Sequence, residues 1–344
     1  MTRNYLCLLG ILLAAGMVMA ESRWVGASER LQYSGAAVDH PLPHPRSQPT
    51  TIALAADGSL WFTEGAGNRI GRMNPDGTGL VEYDLPNQSS APRIIALGSD
   101  GHMWFSEHTG NRMGRITRDG HIAEFPIPTP NSMPRAISLG SDGNIWFGEF
   151  GGGKIGRITP DGEITEFPIP TPDSGPRALA TGPDGNVWFS EFNASRIGRI
   201  TPKGVVTEFA LPRPNSGPGD ITAGADGNMW FVELAGRMDG RMPDGNRVGR
   251  ITMKGVVSEF PIPSQTGSPI NIAVGPDRNI WFTKGGMVGR VTRDGRITEF
   301  PLPSAMAGAT GLTAGSDRQP PTRLGRTLWV AEGGANALAA LAFK

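Results

Sequence analysis

Three arginines and six glutamates recur at fixed places along this chain and are the residues best suited to bind or transform something. Arg93, Arg135 and Arg177 each follow a proline that opens a repeated segment, whereas the same place holds Thr50, Gly219, Ile270 and, approximately, Thr310 elsewhere. A guanidinium donates a planar fork of hydrogen bonds that matches a carboxylate or a phosphate, so three of them clustered point to an anionic ligand. The other reading of the cluster is an internal arginine–glutamate network. A second series, Glu64, Glu107, Glu149, Glu191, Glu233 and Glu332, closes the same segments, with Lys284 standing where a seventh glutamate belongs. Glutamates repeated so faithfully can be structural, satisfying buried polar groups, or can line a channel as bases or metal ligands. Lys284 breaks the series and joins the three arginines as a candidate for binding a negative charge. Of the five histidines, His102 and His121 fall at turns, His40 and His44 in a leading segment, and His108 directly after Glu107, where acid–base work is open to it.

The elements that carry these residues are repeats. Tryptophans stand at Trp61, Trp104, Trp146, Trp188, Trp230, Trp281 and Trp329, the first five about 42 residues apart. Each sits in a frame such as Asp142-Gly143-Asn144-Ile145-Trp146-Phe147-Gly148-Glu149. One unit, 134 to 176, reads as four short strands: Arg135 to Leu139, Ile145 to Glu149, Lys154 to Thr159 and Glu163 to Pro168. Asp142-Gly143 and Pro160-Asp161-Gly162 supply turns, and prolines lead to the next unit, as an outermost strand tolerates. Four antiparallel strands per repeat of this length describe a propeller blade, and seven tryptophans predict an all-β, seven-bladed β-propeller. The last unit lacks its fourth strand. The segment from Ala36 to Pro43 resembles the fourth strands elsewhere, so the N-terminal strand is expected to close the last blade and protect two open edges.

Blade geometry then places the candidates. If the first strand descends from the top face, its start and the end of the second strand meet at the channel mouth. With Asp142-Gly143 as a two-residue turn, Ala136 lies opposite Glu149 and Arg135 neighbours it. Two insertions, Ala235 to Asn246 and Arg318 to Arg326, interrupt the fifth and seventh units. The arginines of the Gly-Arg step in the third strands (Arg72, Arg115, Arg157, Arg199, Arg250 and Arg290) repeat through six units and read as scaffold.

Residues 1–20 read as a secretory signal peptide, with Arg3 before an apolar stretch and Val18-Met19-Ala20 as a small-residue cleavage pattern. Residues 21–35 are a lead-in and 36–344 the propeller, placed in the periplasm or secreted. The one cysteine, Cys7, lies in the signal segment, which excludes disulfides and thiolate chemistry from the mature chain. Lys+Arg and Asp+Glu are equal at 32 each, which argues against nucleic acid and, after signal cleavage, against a membrane surface. Ring closure needs no second subunit, so a monomer is expected. No zinc spacing, P-loop, nucleophile elbow or dinucleotide fingerprint is present.

The frame Asp-Gly-x-x-Trp-Phe-x-Glu, followed by Ile-Gly-Arg-Ile and Glu-Phe-x-(Ile/Leu)-Pro, resembles the streptogramin lyase (virginiamycin B lyase) family over residues 48 to 303. The resemblance implies a seven-bladed propeller whose channel mouth carries out a Mg2+-dependent elimination, a C–O lyase reaction opening a cyclic depsipeptide lactone. It also implies a Pro-His-x-Ile histidine opening one late blade and a Glu-x-His pair opening the next. Here those places read Pro269-Ile270-Asn271-Ile272 and Gly308-Ala309-Thr310-Gly311-Leu312. Three readings follow. One is a lyase using another base, with His108, Glu107 or Glu149 as candidates. Another is a non-catalytic propeller that binds an anionic small molecule or peptide through Arg93, Arg135, Arg177 and Lys284. The third is a metal-dependent lactonase with Glu107, Glu149 and Glu191 as ligands.

Overall fold

The computed structural model describes residues 32–234, 245–265, 267–302, 308–314 and 326–344. The predicted signal segment, most of the lead-in, residues 235–244 of the fifth-blade insertion and residues 318–325 of the seventh-blade insertion lie outside the described residues. Among the described residues there are seven four-stranded antiparallel sheets. Six run in chain order from the innermost strand outward, as in Pro134–Leu139, Ile145–Glu149, Lys154–Ile158 and Ile164–Pro168. The seventh combines Ala309–Ala314, Thr327–Glu332 and Ala337–Phe343 with the N-terminal strand Tyr33–Pro41. Each innermost strand touches the innermost strand of the next blade, and that of the seventh touches that of the first, so the ring is closed. The closing strand starts at Tyr33, three residues before the predicted Ala36. Its ring extends the apolar cluster by packing edge-on against Phe300, with centroids 5.1 Å apart.

Each repeated residue has a packing reason. In the third blade, Trp146 is buried between blades with Ile155, Leu179, Val187 and Phe189. Its indole N–H donates to Asp142 Oδ1 at 3.0 Å, so the aspartate of the turn caps the tryptophan. Phe167 of the fourth strand stacks on Trp146 at 5.4 Å. The guanidinium of Arg157 lies over both rings, 5.6 and 5.5 Å from their centroids, and donates to the carbonyl of Pro202 in the next blade at 3.2 Å. Such a cation over desolvated aromatic faces contributes about 1–2 kcal/mol beyond burial. Glycine before that arginine is obligatory, because a Cβ on Gly156 would stand 2.1 Å from Phe147 Cζ. The same arrangement recurs with Arg72, Arg115 and Arg199, which pair with Asp57, Asp100 and Asp184. These arginines are scaffold, as their repetition predicts.

The hairpin register differs from expectation by one residue. Leu139 pairs with Ile145, and Gly140 N–H donates to Asn144 O, leaving a three-residue loop in which Gly143 takes φ +79°. A two-residue turn at Asp142-Gly143 would have placed Ala136 opposite Glu149. Instead Ala136 faces Gly148, and a bulge at Arg135 brings Pro134 opposite Glu149. The bulge has a functional consequence, because Arg135 and Glu149 are not neighbours in the way the simple turn predicts.

Candidate ligand site at the channel mouth

The residue after the blade-opening proline lines the central channel in every blade but the fifth, where Asp220 does so instead. There the innermost strands enclose a cavity of about 600 Å³ that includes Arg93, Arg135 and Arg177 among its lining. The structure thus brings the three predicted arginines together, on three consecutive blades. Phe150 and Phe192, which follow the second strands of blades three and four, back two of them. Arg135 lies 5.6 Å over Phe150 and Arg177 5.0 Å over Phe192. With their faces occupied by rings, the guanidiniums have only their edges left to donate.

Those edges have no partner among the described residues: none of the three guanidiniums lies within 4.0 Å of a carboxylate or donates a hydrogen bond. Protein surrounds each on most sides, yet all three keep accessible surface toward the channel. Burial, and after it the neighbouring Arg177 and Arg93 charges, push Arg135 down to about 8. Burial and Arg93 likewise push Arg177 down to about 10, with Asp220 opposing. A guanidinium gives up its proton with great difficulty, so the three side chains remain a cluster of crowded positive charge.

Sequence reasoning missed Asp220. It is the one carboxylate among the described lining residues and lies on blade five, next to the Arg177 blade. Its Oδ2 accepts the Ile272 N–H at 3.0 Å, tying blade five to blade six. Burial pushes its carboxyl up to about 6, against the backbone hydrogen bonds and Arg177, which act to lower it. The signal was in the sequence as the step Pro218-Gly219-Asp220, where the arginine is lost and the next residue becomes acidic. The remaining polar lining is neutral, from Thr50, Asn271 and Thr310 on blades one, six and seven.

The recurring glutamates do not reach the channel. Glu64, Glu107, Glu149, Glu191, Glu233 and Glu332 are fully buried within the blades, each beside a carboxylate of its own fourth strand. Burial and then that neighbour raise the carboxyl: Glu149 and Glu191 to about 8, with Glu166 and Glu208 alongside. The fourth-strand glutamates in turn seat the incoming chain crossings. Glu166 accepts the Thr129 N–H at 2.9 Å, Glu208 the Thr171 N–H at 3.1 Å, and Glu82 meets His44 Nδ1 at 2.5 Å. His44 is therefore the first of a series of crossing residues.

Lys284 belongs to this system and not to the mouth. It is fully buried, donates to Ser264 Oγ at 2.9 Å and lies 3.7 Å from Glu299. Its strand partner explains the exception. Where Glu64, Glu107, Glu149, Glu191 and Glu233 face Arg69, Arg112, Lys154, Arg196 and Arg247, Lys284 faces Met287. Blade six has moved its cation from the third strand to the second, and the substitution of Met287 was the readable signal.

His108 stands on the mouth's arginine side, with Nδ1 3.3 Å from the Pro134 carbonyl. Burial, then Arg93 and Arg135, depress its basicity, against the Pro134 carbonyl, which raises it. The residues present do not suit a divalent metal. Glu107, Glu149 and Glu191 sit in three separate blades, no group of three metal-binding side chains occurs among the described residues, and the mouth is predominantly cationic. Hard divalent ions need several converging oxygens.

The virginiamycin B lyase family model matches residues 22–242 and 170–343. The chain belongs to that family. A streptogramin B lyase structure is 33% identical, with a TM-score of 0.81 over 90% of this chain and 98% of that one. Virginiamycin B lyase from Staphylococcus aureus is 36% identical, with a TM-score of 0.81 over 89% of this chain and 99% of that one. A catalytically inactive histidine-to-alanine variant of that enzyme has been solved with quinupristin at the same similarity. Hydrazine synthase from Kuenenia stuttgartiensis, 14% identical with a TM-score of 0.71 over 88% of this chain and 97% of that one, shares the fold alone. No curated protein matches the chain significantly.

Proposed function

We propose that this family member binds an anionic small molecule or peptide at the channel mouth through Arg93, Arg135 and Arg177. The observation that carries the reading is three cavity-facing guanidiniums on consecutive blades, with a single acid, Asp220, beside them among the described lining residues. A scaffold requirement would repeat around the ring, as the Gly-Arg arginines do. Titration calorimetry of the chain with malate and with inorganic phosphate at low ionic strength tests it. Binding that disappears in Arg135→Ala supports the reading, and no heat with either anion at millimolar concentration overturns it.

A second reading, lactone-opening elimination as in the enzymes it resembles, is favoured by one observation. His108 has its Nδ1 3.3 Å from the Pro134 carbonyl, and burial and the nearby arginines favour the uncharged ring that a general base needs. Against it, no histidine lies among the described lining residues, and Ile270 and Thr310 stand where the family resemblance implies histidines. Asp220, the one acid there, already accepts a backbone N–H. Incubation with a type B streptogramin and magnesium, followed by mass spectrometry, separates the readings: a linear product of unchanged mass, lost in His108→Ala, establishes elimination. Untouched substrate leaves the binding reading.

A further inference from the structure

The charges that meet in the mouth define the ligand further, on the basis of the binding reading above. Arg93, Arg135 and Arg177 contribute three positive charges on consecutive blades, and Asp220 contributes one negative charge beside Arg177. No other charged side chain is in the described lining. The site therefore carries two uncompensated positive charges in a volume of about 600 Å³. A single carboxylate leaves one of those charges buried without a partner, which is costly in a medium less polar than water. Three separated forks also exceed what one carboxylate can accept, since two N–H groups from each make about six donors against about four lone-pair sites.

The far wall adds the second requirement. Thr50, Asn271 and Thr310 present hydroxyl and amide groups without charge. Thr310 Oγ1 donates to Pro49 O at 2.9 Å and leaves its lone pairs available to a donor in the channel. A ligand spanning the mouth would set its anionic end on blades two to four and hydroxyl or amide groups on blades six, seven and one.

We infer that the mouth is built for a small dianion, a hydroxylated or amide-bearing molecule with two carboxylates or one phosphate monoester, whose charge complements three arginines and Asp220. Asp220 then sets specificity by charge count: it subtracts one unit and so separates dianions from trianions. It is a positioning residue for Arg177 and for blade six through Ile272, and it has no assigned role in bond making.

The test is calorimetric titration of the full chain at pH 7.5 and low salt with a charge series of probes: lactate, malate, citrate and inorganic phosphate. Malate is expected to bind at least about tenfold more tightly than lactate, which shares its hydroxyl but has one carboxylate. Asp220→Asn keeps an oxygen acceptor for Ile272 N–H and is expected to move the preference by about tenfold from malate toward citrate. Phosphate binding as well as malate assigns the site to phosphate esters, and weaker phosphate binding assigns it to dicarboxylates. Lactate and malate binding equally, with both lost in Arg135→Ala, overturns the dianion inference while the anion site stands. No binding by any probe overturns both. Asp220→Asn with an unchanged malate-to-citrate ratio and an unchanged unfolding temperature overturns the role given to Asp220.

Discussion

Two sets of arginines in this propeller differ in what surrounds them. Arg157 and its counterparts in the third strands lie over a tryptophan and a phenylalanine, near an aspartate, and donate to the next blade. Arg135 and Arg177 also rest on aromatic rings, but they and Arg93 end in a cavity with no carboxylate within 4.0 Å of them among the described residues. The first set is repeated around the ring and has its partners supplied. The second is confined to three consecutive blades and has a partner missing. In a repeat protein, an unshared residue whose chemistry is left incomplete marks a site more reliably than residue type does. Glu149 and Lys284 show the converse, since both are chemically suggestive and both are enclosed in a blade beside a fourth-strand glutamate, away from the channel.

The contrast can be broken most sharply at the mouth. Arg135→Ala is expected to weaken anion affinity by about 3 kcal/mol, more than a hundredfold, while the ligand-free protein unfolds at a slightly higher temperature because a crowded buried cation is gone. Calorimetry and thermal unfolding of the same preparation give both numbers. Arg157→Ala is expected to do the opposite, costing about 2–3 kcal/mol of folding stability with anion affinity unchanged in denaturant and binding titrations.

The blade interiors sharpen it further. Lys284→Glu places a second carboxyl group beside Glu299 without the cation that other blades carry, and is expected to cost about 2 kcal/mol. Adding Met287→Arg restores the arrangement of blades one to five and recovers about half of that loss, read as a coupling energy in a double-mutant cycle. A smaller effect concerns pH. The Glu149 carboxyl rises from an ordinary value of 4.5 to about 8 in the folded protein, so the folded state holds that proton more tightly than the unfolded state. The stability this confers is complete below about pH 4.5 and is lost as pH rises through about 8. Glu149→Gln, neutral at every pH, is expected to unfold like the parent at pH 5 and to be more stable by about 1 kcal/mol at pH 8.5. The blade's remaining acid, Glu166, keeps Lys154 as its partner in both proteins.

The ring was legible because its determinants are local and repeated. Asp142, Trp146, Gly156, Arg157 and Phe167 all act within one blade or its immediate neighbour, so their spacing alone implies the contact. The closing strand was readable for the same reason, apart from its start at Tyr33, which depends on aromatic packing against Phe300 of blade six. The arginine site was legible through its asymmetry. The glutamates were not, because strand order cannot say which side of a twisted sheet a chain-end carboxyl faces once a bulge intervenes. Pro134, and not Ala136, lies opposite Glu149, a change set by a three-residue loop in place of two. Asp220 stayed hidden because its meaning depends on Arg177, a residue 43 positions earlier in another blade.

The central claim is that the three mouth arginines, with Asp220 as the one acid among the described lining residues, take their remaining counter-charge from solution. Thermal unfolding of the parent chain and of the triple variant Arg93→Gln, Arg135→Gln, Arg177→Gln, each with and without malate at low ionic strength, tests it most directly. The account predicts that the variant melts above the parent when no anion is present, and that malate raises the parent alone. A variant that melts well below the parent, together with a parent indifferent to malate, would show these arginines to be internal scaffold and contradict the account.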